Sequence, residues 1–142
     1  MPSTEYGPRL PTYRHLLTAY DRAWQRWEDD PSPRSFAVLQ TGIEILYREL
    51  EKPGKFPLGR ILMTTGASEA LLTAQHVPPE FLLRHQHGDW GDLCAEDSRE
   101  NERSLRVGSR LLSSYRTRTE DKLWVITEWD RSATTLLLPE EY

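Results

Sequence analysis

Three short strand patterns follow one another closely in the last third of the chain, and they constrain its fold more than any other feature. They cover residues 110–118, 122–129 and 133–138, and the connections between them are Thr119-Glu120-Asp121 and Asp130-Arg131-Ser132. Strands joined by turns this short pair with their neighbours in sequence. We therefore expect an antiparallel meander here, with a Gly-Asp-Trp-Gly-Asp turn at residues 88–92 before it.

The middle strand of this meander has apolar side chains on both faces. One face carries Leu123, Val125, Thr127 and Trp129, and the other carries Lys122, Trp124, Ile126, Glu128 and Asp130. Such a strand is typical of the centre of a sheet, with a layer covering each face. The last strand runs into Pro139, which cannot donate a ladder hydrogen bond, so we expect that strand to be an edge.

Residues 11–52 have helical periodicity in two segments. The stripes consist of Tyr13, Leu16, Leu17, Tyr20, Ala23, Trp24 and Trp27 in the first segment, and of Phe36, Leu39, Ile43, Leu46 and Leu50 in the second. Ser32 stands where a helix N-cap belongs, and Pro33 takes the first helical position. The pattern predicts a helical hairpin, which ends at Lys52-Pro53-Gly54-Lys55. Residues 1–10 show no periodicity, and we interpret them as a loose arm.

The segment between the hairpin and the meander adds a strand and three helices. An apolar run predicts a strand over residues 58–65, and helices are expected over 67–74, from Pro78 to a stop at Gly88, and over 95–107. The last of these is rich in Glu and Arg and should be solvated. The fold class is therefore α+β: an N-terminal helical hairpin followed by a small, mostly antiparallel four-stranded sheet with short helices, with the body at 56–142 and one compact domain overall.

Composition narrows the possible partners. The chain has 142 residues, one cysteine and a formal net charge of −4. Cys94 has no second cysteine with which to form an intrachain disulfide, and no apolar run is long enough for a signal segment or a membrane span, so we expect a cytoplasmic protein without a membrane partner. The negative charge disfavours nucleic acid as a ligand. Nothing in the sequence indicates a cofactor.

The 88–142 segment also carries a family resemblance. The residues involved are Gly-Asp-Trp-Gly-Asp-Leu at 88–93, Glu96-Asp97, Asn101, Arg-Leu-Leu-Ser at 110–113, Tyr115, Trp-Val-Ile-Thr-Glu at 124–128, Asp-Arg-Ser-Ala-Thr-Thr at 130–135 and Leu-Leu-Pro-Glu-Glu-Tyr at 137–142. This pattern resembles a family of small uncharacterised proteins from plasmids and integrative elements, sometimes labelled after their restriction-modification neighbours. The resemblance covers about residues 56–142. Trp129 departs from it, because a small residue is expected at that position.

The resemblance implies that the gene lies on a mobile genetic element. Such elements often carry proteins that disable host defence. From it, and from the acidic composition, we expect a small accessory protein that binds a protein partner without catalysis and inhibits a host defence complex. The predicted contact residues are Asp89, Trp90 and Asp92 in the first turn, and Glu128, Asp130, Arg131 and Ser132 in the second.

Both turns have a simpler interpretation. Asp89 and Asp92, with His85 and His87 upstream, have ligand types that bind a divalent metal, but no second ligand cluster lies nearby, and the structural interpretation is favoured. In that interpretation the aspartates shape the turn and Trp90 anchors it in the core. Residues 130–132 likewise either bind an anion through Arg131 or merely join two strands.

A metal-independent ribonuclease of the toxin type is the alternative function. It needs a general acid and base beside a cation on one face of the sheet. His85, Arg116, Glu128 and Arg131 supply these groups, although charges at the ends of exposed strands are common without any catalytic role.

The aromatic residues of the hairpin raise the question of oligomeric state. Trp24, Trp27, Tyr13, Tyr20 and Tyr47 offer more aromatic surface than two short helices hide from each other. The remaining surface packs on the α+β body, on a second hairpin in a homodimer, or on a foreign partner.

Overall fold

The computed structural model describes residues 12–142, so the predicted arm at 1–10 lies outside the described residues. The elements are α1 (Tyr13–Asp29), α2 (Pro33–Leu50), β1 (Arg60–Met63), α3 (Thr65–Ala74), α4 (Pro79–Gln86), α5 (Ala95–Val107), β2 (Leu111–Arg116), β3 (Lys122–Thr127), β4 (Ala133–Leu137) and a 3-10 turn at Pro139–Glu141. This confirms the α+β class with an N-terminal helix pair. The chain divides into two compact units between Glu49 and Leu50; the single compact domain stays a prediction.

Each helix of the N-terminal pair begins at a capping residue. The Thr12 side chain accepts the His15 N–H at the start of α1, and the Ser32 side chain accepts the Ser35 N–H at 3.1 Å at the start of α2. Ser32 as N-cap with Pro33 following it is therefore confirmed. Tyr20 is buried and packs directly on Gly42, where an added Cβ atom would lie 3.2 Å from the ring. The small residue thus lets the two helices approach closely.

The sheet has the strand order β1-β4-β3-β2. Strands β2, β3 and β4 form the predicted antiparallel meander, and β3 lies inside the sheet as expected. The expectation that β4 is an edge is wrong. Strand β1 pairs with it in parallel, from Arg60 beside Ala133 to Met63 beside Leu136. Pro139 does not prevent this pairing because it follows the strand and begins the 3-10 turn.

The core lies on the face of the sheet that carries the odd-numbered residues of β2 and β3. Leu123, Val125 and Thr127 are fully buried, in agreement with the predicted sorting of the middle strand. The hydrophobic cluster consists of Phe56, Leu58, Ala67, Leu71, Phe81, Leu82, Trp90, Leu111, Tyr115, Leu123, Val125 and Leu136. It therefore joins α3, α4 and the 88–92 turn to three of the four strands.

The 3-10 turn folds back onto the opposite face of the sheet and onto α3. The Glu141 carboxylate accepts hydrogen bonds from the Thr64 hydroxyl at 2.5 Å and from the Gly66 N–H at 3.1 Å, at the first turn of α3. The Tyr142 ring lies 5.9 Å from the Trp124 ring. A carboxylate at the positive end of a helix is stabilising, so Glu141 stabilises the N-terminus of α3.

The outer edge of β2 is closed by side-chain and turn groups. The Asn101 side chain on α5 accepts the Leu112 N–H at 3.1 Å and donates to the Leu112 carbonyl at 2.6 Å. Two residues further on, the Ser114 N–H donates to the Trp90 carbonyl, and the Asp92 N–H donates to the Ser114 carbonyl. A strand edge left open pairs with other chains, and here the outward-facing groups of Leu112 and Ser114 have partners.

Among residues 12–142, no helix combines the length and the apolar character needed to cross a lipid bilayer.

Substitution of Gly91 tests the closure of this edge. Gly91 has φ +76°, and a Cβ there would lie 2.0 Å from the Ser114 carbonyl oxygen; Gly108 has a similar φ of +74° but open space around it. We expect Gly108→Ala to cost about 1–2 kcal/mol from the left-handed backbone alone. Gly91→Ala should cost about 1–3 kcal/mol more because the turn must move off β2. Urea unfolding measures both, and equal losses would contradict this account.

Candidate binding surface

Arg131 fixes the turn between β3 and β4, which we call the 128–132 turn. Its guanidinium donates to the carbonyl of Ser109 at 2.6 Å, of Ser104 at 3.0 Å and of Glu128 at 3.1 Å. Ser104 lies in the last turn of α5, where a cation is favoured by the helix dipole. Burial lowers the pKa of Arg131, although the group stays charged at neutral pH. Arg131 is therefore an anchor, and carbonyl oxygens occupy its Nη1 group and one bond of its Nη2 group, which the anion-binding hypothesis would need for a ligand.

The rest of the 128–132 turn is held as firmly. The Asp130 carboxylate accepts the Ser132 N–H at 3.0 Å, and the hydrogen bonds from the side chain and backbone of Ser132 lower the pKa of Asp130. Gly59 packs against the turn so closely that an added Cβ would lie 2.4 Å from the Ser132 carbonyl oxygen. The backbone of the turn thus has little freedom to rearrange.

Trp129 projects from this rigid turn into solvent. Its side chain is 67 % exposed, and Val107 at the end of α5 is 57 % exposed. Arg131 connects the two segments, since it bonds the Trp129 carbonyl as well as the last turn of α5. An exposed indole on a preorganised backbone is the feature of this surface best suited to contact another molecule.

The 88–92 turn is built for packing. Trp90 is 6 % exposed, and its indole N–H donates to the Glu102 carboxylate at 2.8 Å. Asp89 accepts from Arg84 at 2.8 Å, and its carbonyl accepts the Tyr115 hydroxyl at 2.6 Å. Trp90 therefore anchors the turn in the core. Of the predicted contact residues here, Asp92 alone has an exposed side chain.

A chain of buried hydrogen bonds crosses the sheet beneath these turns. His85 bonds the Ser113 hydroxyl through Nδ1 at 2.5 Å and the Thr127 hydroxyl through Nε2 at 2.9 Å. Thr127 bonds Thr134 at 2.7 Å, and Thr134 donates to the Leu58 carbonyl at 2.7 Å. All four side chains are fully buried. Each buried polar group along this chain thus has a partner.

The carbonyl at one end of this chain fixes the direction of every proton in it. Because the Leu58 carbonyl only accepts, Thr134 uses its single proton there and must accept from Thr127. Thr127 then accepts from His85, so the Nε2 atom carries the ring proton. Nδ1 is left to accept from the Ser113 hydroxyl. The arrangement therefore assigns one tautomer to the neutral ring of His85, with the proton on Nε2.

The pKa of His85 agrees with this assignment. Burial lowers it from 6.5 to about 3, and the positive charge of Arg131 contributes in the same direction. A neutral, fully bonded imidazole out of reach of solvent stabilises the fold. It does not offer a free nitrogen for acid–base catalysis.

The four residues of the ribonuclease hypothesis do not converge on one cleft. His85 lies in the core, and Arg131 is bound to main-chain carbonyls at the α5 end of the sheet. Arg116 lies at the other end of β2, where it is 4.0 Å from Asp92 and 3.7 Å from Glu120. The register places Arg116 beside Lys122, five residues along β3 from Thr127, which is roughly 17 Å.

The metal interpretation receives no support from side-chain placement. His85 has both ring nitrogens engaged, and His87 Nδ1 bonds the Leu83 carbonyl at 2.8 Å. In the part of the chain that the structure describes, no three His, Cys, Asp or Glu side chains come together as ligands of one ion.

Several residues that shape this region had only weak signals in the sequence. Thr127 and Thr134 lie at inward-facing strand positions, and this could have indicated a buried polar pair. Asn101 and Glu102 lie on a helix whose composition suggested solvent exposure, and no spacing rule relates them to Leu112 or Trp90. Their roles depend on the way α5 lies along β2.

Comparison of the chain with protein-family models, with curated proteins and with solved structures finds no match.

A pH titration of stability tests the role of His85. The folded protein keeps the ring neutral down to about pH 3, whereas the unfolded chain takes up the proton below about pH 6.5. The contribution of His85 is therefore complete above pH 6.5 and is lost as pH falls towards 3, by at most about 1.4 kcal/mol per pH unit. The non-titrating variant His85→Gln should be less stable at neutral pH by about 2–4 kcal/mol.

Urea unfolding of both proteins from neutral pH down to about pH 4 gives the comparison. We expect the stability difference between them to shrink with falling pH, because the carboxyl groups are common to both. A difference that stays constant with pH would contradict a neutral His85.

Proposed function

We propose that this protein acts by binding a protein partner without catalysing a reaction, and that Trp129 on the 128–132 turn is the centre of the contact. The single observation that carries this proposal is the combination of a 67 % exposed indole with a backbone that Arg131 holds at several carbonyls. Tryptophan is enriched among the residues that dominate binding energy, because burying it removes a large apolar surface from water.

The rigidity of the turn supports this assignment. Binding costs free energy when loops and side chains must be ordered, and a turn already fixed by hydrogen bonds avoids most of that cost. Arg131, Asp130 and Gly59 restrict the backbone on either side of Trp129. An exposed tryptophan on a loose loop would have no such advantage.

The chemistry around Trp129 defines the partner's surface. Asp130 is fully exposed and ionised at neutral pH, and Glu128 is half-buried beside it. The surface that fits is an apolar pocket with a basic rim, in which the pocket receives the indole and the rim pairs with the carboxylates.

The proposed class of partner rests on the family resemblance. Proteins of plasmids and integrative elements often act on host defence, and we propose that the partner is a component of a host defence complex, which the bound protein inhibits. The placement of His85, Arg116 and Arg131 favours binding over the ribonuclease alternative, because no shared cleft holds these groups.

Affinity capture from a lysate of the host cell tests the binding proposal. We expect the wild-type protein to retain one protein in stoichiometric amount, and Trp129→Ala to bind it at least about 10-fold more weakly. Leu72→Ala is the matched control, since Leu72 on α3 is a 75 % exposed apolar residue outside the turn, and it should bind as the wild type does. Equal retention by all three proteins, or no retained protein at all, would refute the proposal.

Incubation with total RNA separates the two functions. A binding protein should leave RNA at the same background level whether wild type, Arg116→Ala or Glu128→Ala is added. Both residues are outside the core, so the variants should fold. RNA cleavage that disappears in either variant would establish the ribonuclease and exclude the proposed function.

A further inference from the structure

Strand β1 leaves one edge of the sheet open. The N–H group of Arg60 donates to the Ser132 carbonyl, and that of Thr64 donates to the Leu136 carbonyl. The main-chain groups of the even-numbered residues of this segment therefore point towards β4. The N–H and C=O groups of Ile61 and Met63 therefore face away from β4, and within residues 12–142 no group bonds to them. The side chains of Ile61, Leu62 and Met63 are each about 40 % exposed. The edge thus offers two donors, two acceptors and apolar surface.

The open edge differs from the edge at β2, where Asn101 and the 88–92 turn occupy the outward-facing groups of Leu112 and Ser114. It is also short. Gly59, with φ +65°, turns the chain just before β1, and Thr64 caps α3 just after it. An incoming strand finds a paired length of about five residues, from 60 to 64.

We propose that β1 pairs with β1 of a second copy of this protein, antiparallel and around a twofold axis at Leu62. In this register Ile61 of each copy lies opposite Met63 of the other, and each such pair exchanges two N–H to C=O hydrogen bonds. The two pairs satisfy all the outward-facing groups of both strands. The result is a continuous sheet of eight strands.

Charge complementarity selects a second copy as the occupant. The same register places Arg60 of each copy opposite Thr64 of the other, on the same face of the sheet. The Thr64 hydroxyl is bonded to the Glu141 carboxylate at 2.5 Å. Arg60 therefore meets a carboxylate held in place on the partner copy, and symmetry repeats the ion pair. Arg60 is the one charged side chain of the 60–64 segment, so no like charges face each other across the axis.

Sedimentation velocity over a concentration series tests the pairing. A contact of this size associates weakly, so the series runs from about 10 µM to about 1 mM. We expect the wild-type protein to pass from monomer to dimer within it. Met63→Pro removes an outward N–H that β4 does not use, and Arg60→Glu places a negative charge opposite Glu141; each should raise the dissociation constant at least 10-fold.

Two control variants separate this dimer from other modes of association. Lys122→Glu reverses an exposed charge at the far end of the sheet, and Val38→Glu places a charge in a groove of about 360 Å³ between α1 and α2, where Val38, Thr41 and Ile45 line one side. Both should dimerise as the wild type does. Circular dichroism checks the fold of Met63→Pro, and Arg60→Glu keeps the test valid if that variant is unfolded.

Three outcomes would overturn the proposal. They are a wild-type protein that stays monomeric across the series, a dimer that Arg60→Glu leaves unchanged, and a dimer that Val38→Glu abolishes. The last result would place the contact in the helical hairpin.

Discussion

The hydrogen-bond chain from Ser113 through His85, Thr127 and Thr134 to the Leu58 carbonyl is the constraint on which the α+β unit depends. It joins β2, α4, β3, β4 and the segment before β1 at fully buried positions. Buried polar groups cost free energy unless all of them are bonded, so the chain is favourable only when every element is in place. It therefore selects one register of the sheet and one position of α4 from those that hydrophobic packing alone would permit.

The turns at the two ends of α5 have different uses although they looked alike in sequence. Both turns are short, and each contains two acidic residues and one tryptophan. In the 88–92 turn the indole is buried and the main chain seals β2. In the 128–132 turn the anchor is Arg131, which binds α5, and Trp129 is left outside. Turns of similar composition therefore close the edge of β2 at one end of α5 and expose a tryptophan side chain to solvent at the other.

Local patterns accounted for most of the fold. The caps at Ser32 and Pro33, the bounds of α5 and the pairing of β2 with β3 and β4 follow from spacing and turn residues, which act over a few positions. The neighbour of β4 could not be predicted in this way, because β1 lies about seventy residues away in sequence and no local rule relates them. Pro139 suggested an edge by a rule that applies within a strand, and it lies beyond the strand.

The roles of the predicted contact residues could likewise be predicted from the sequence only in part. Burial of Trp90 was expected in the structural interpretation of the 88–92 turn, whereas the exposure of Trp129 was not predicted, because the alternation placed it on the same face as Leu123 and Val125. The anchoring of Arg131 was not predictable, since its carbonyl partners belong to α5 and to the segment after it. His85 was singled out as a reactive type of side chain, but the two hydroxyls that bond its ring come from two different strands, β2 and β3.

The parallel pairing of β1 with β4 also affects how the protein is made. Strand β1 leaves the ribosome long before its neighbour exists, and synthesis at the usual speed leaves an interval of roughly 4–15 seconds between them. During that time Ile61, Leu62 and Met63 belong to a segment with no sheet to join. These three apolar side chains therefore stay without their neighbouring strand until translation delivers β4.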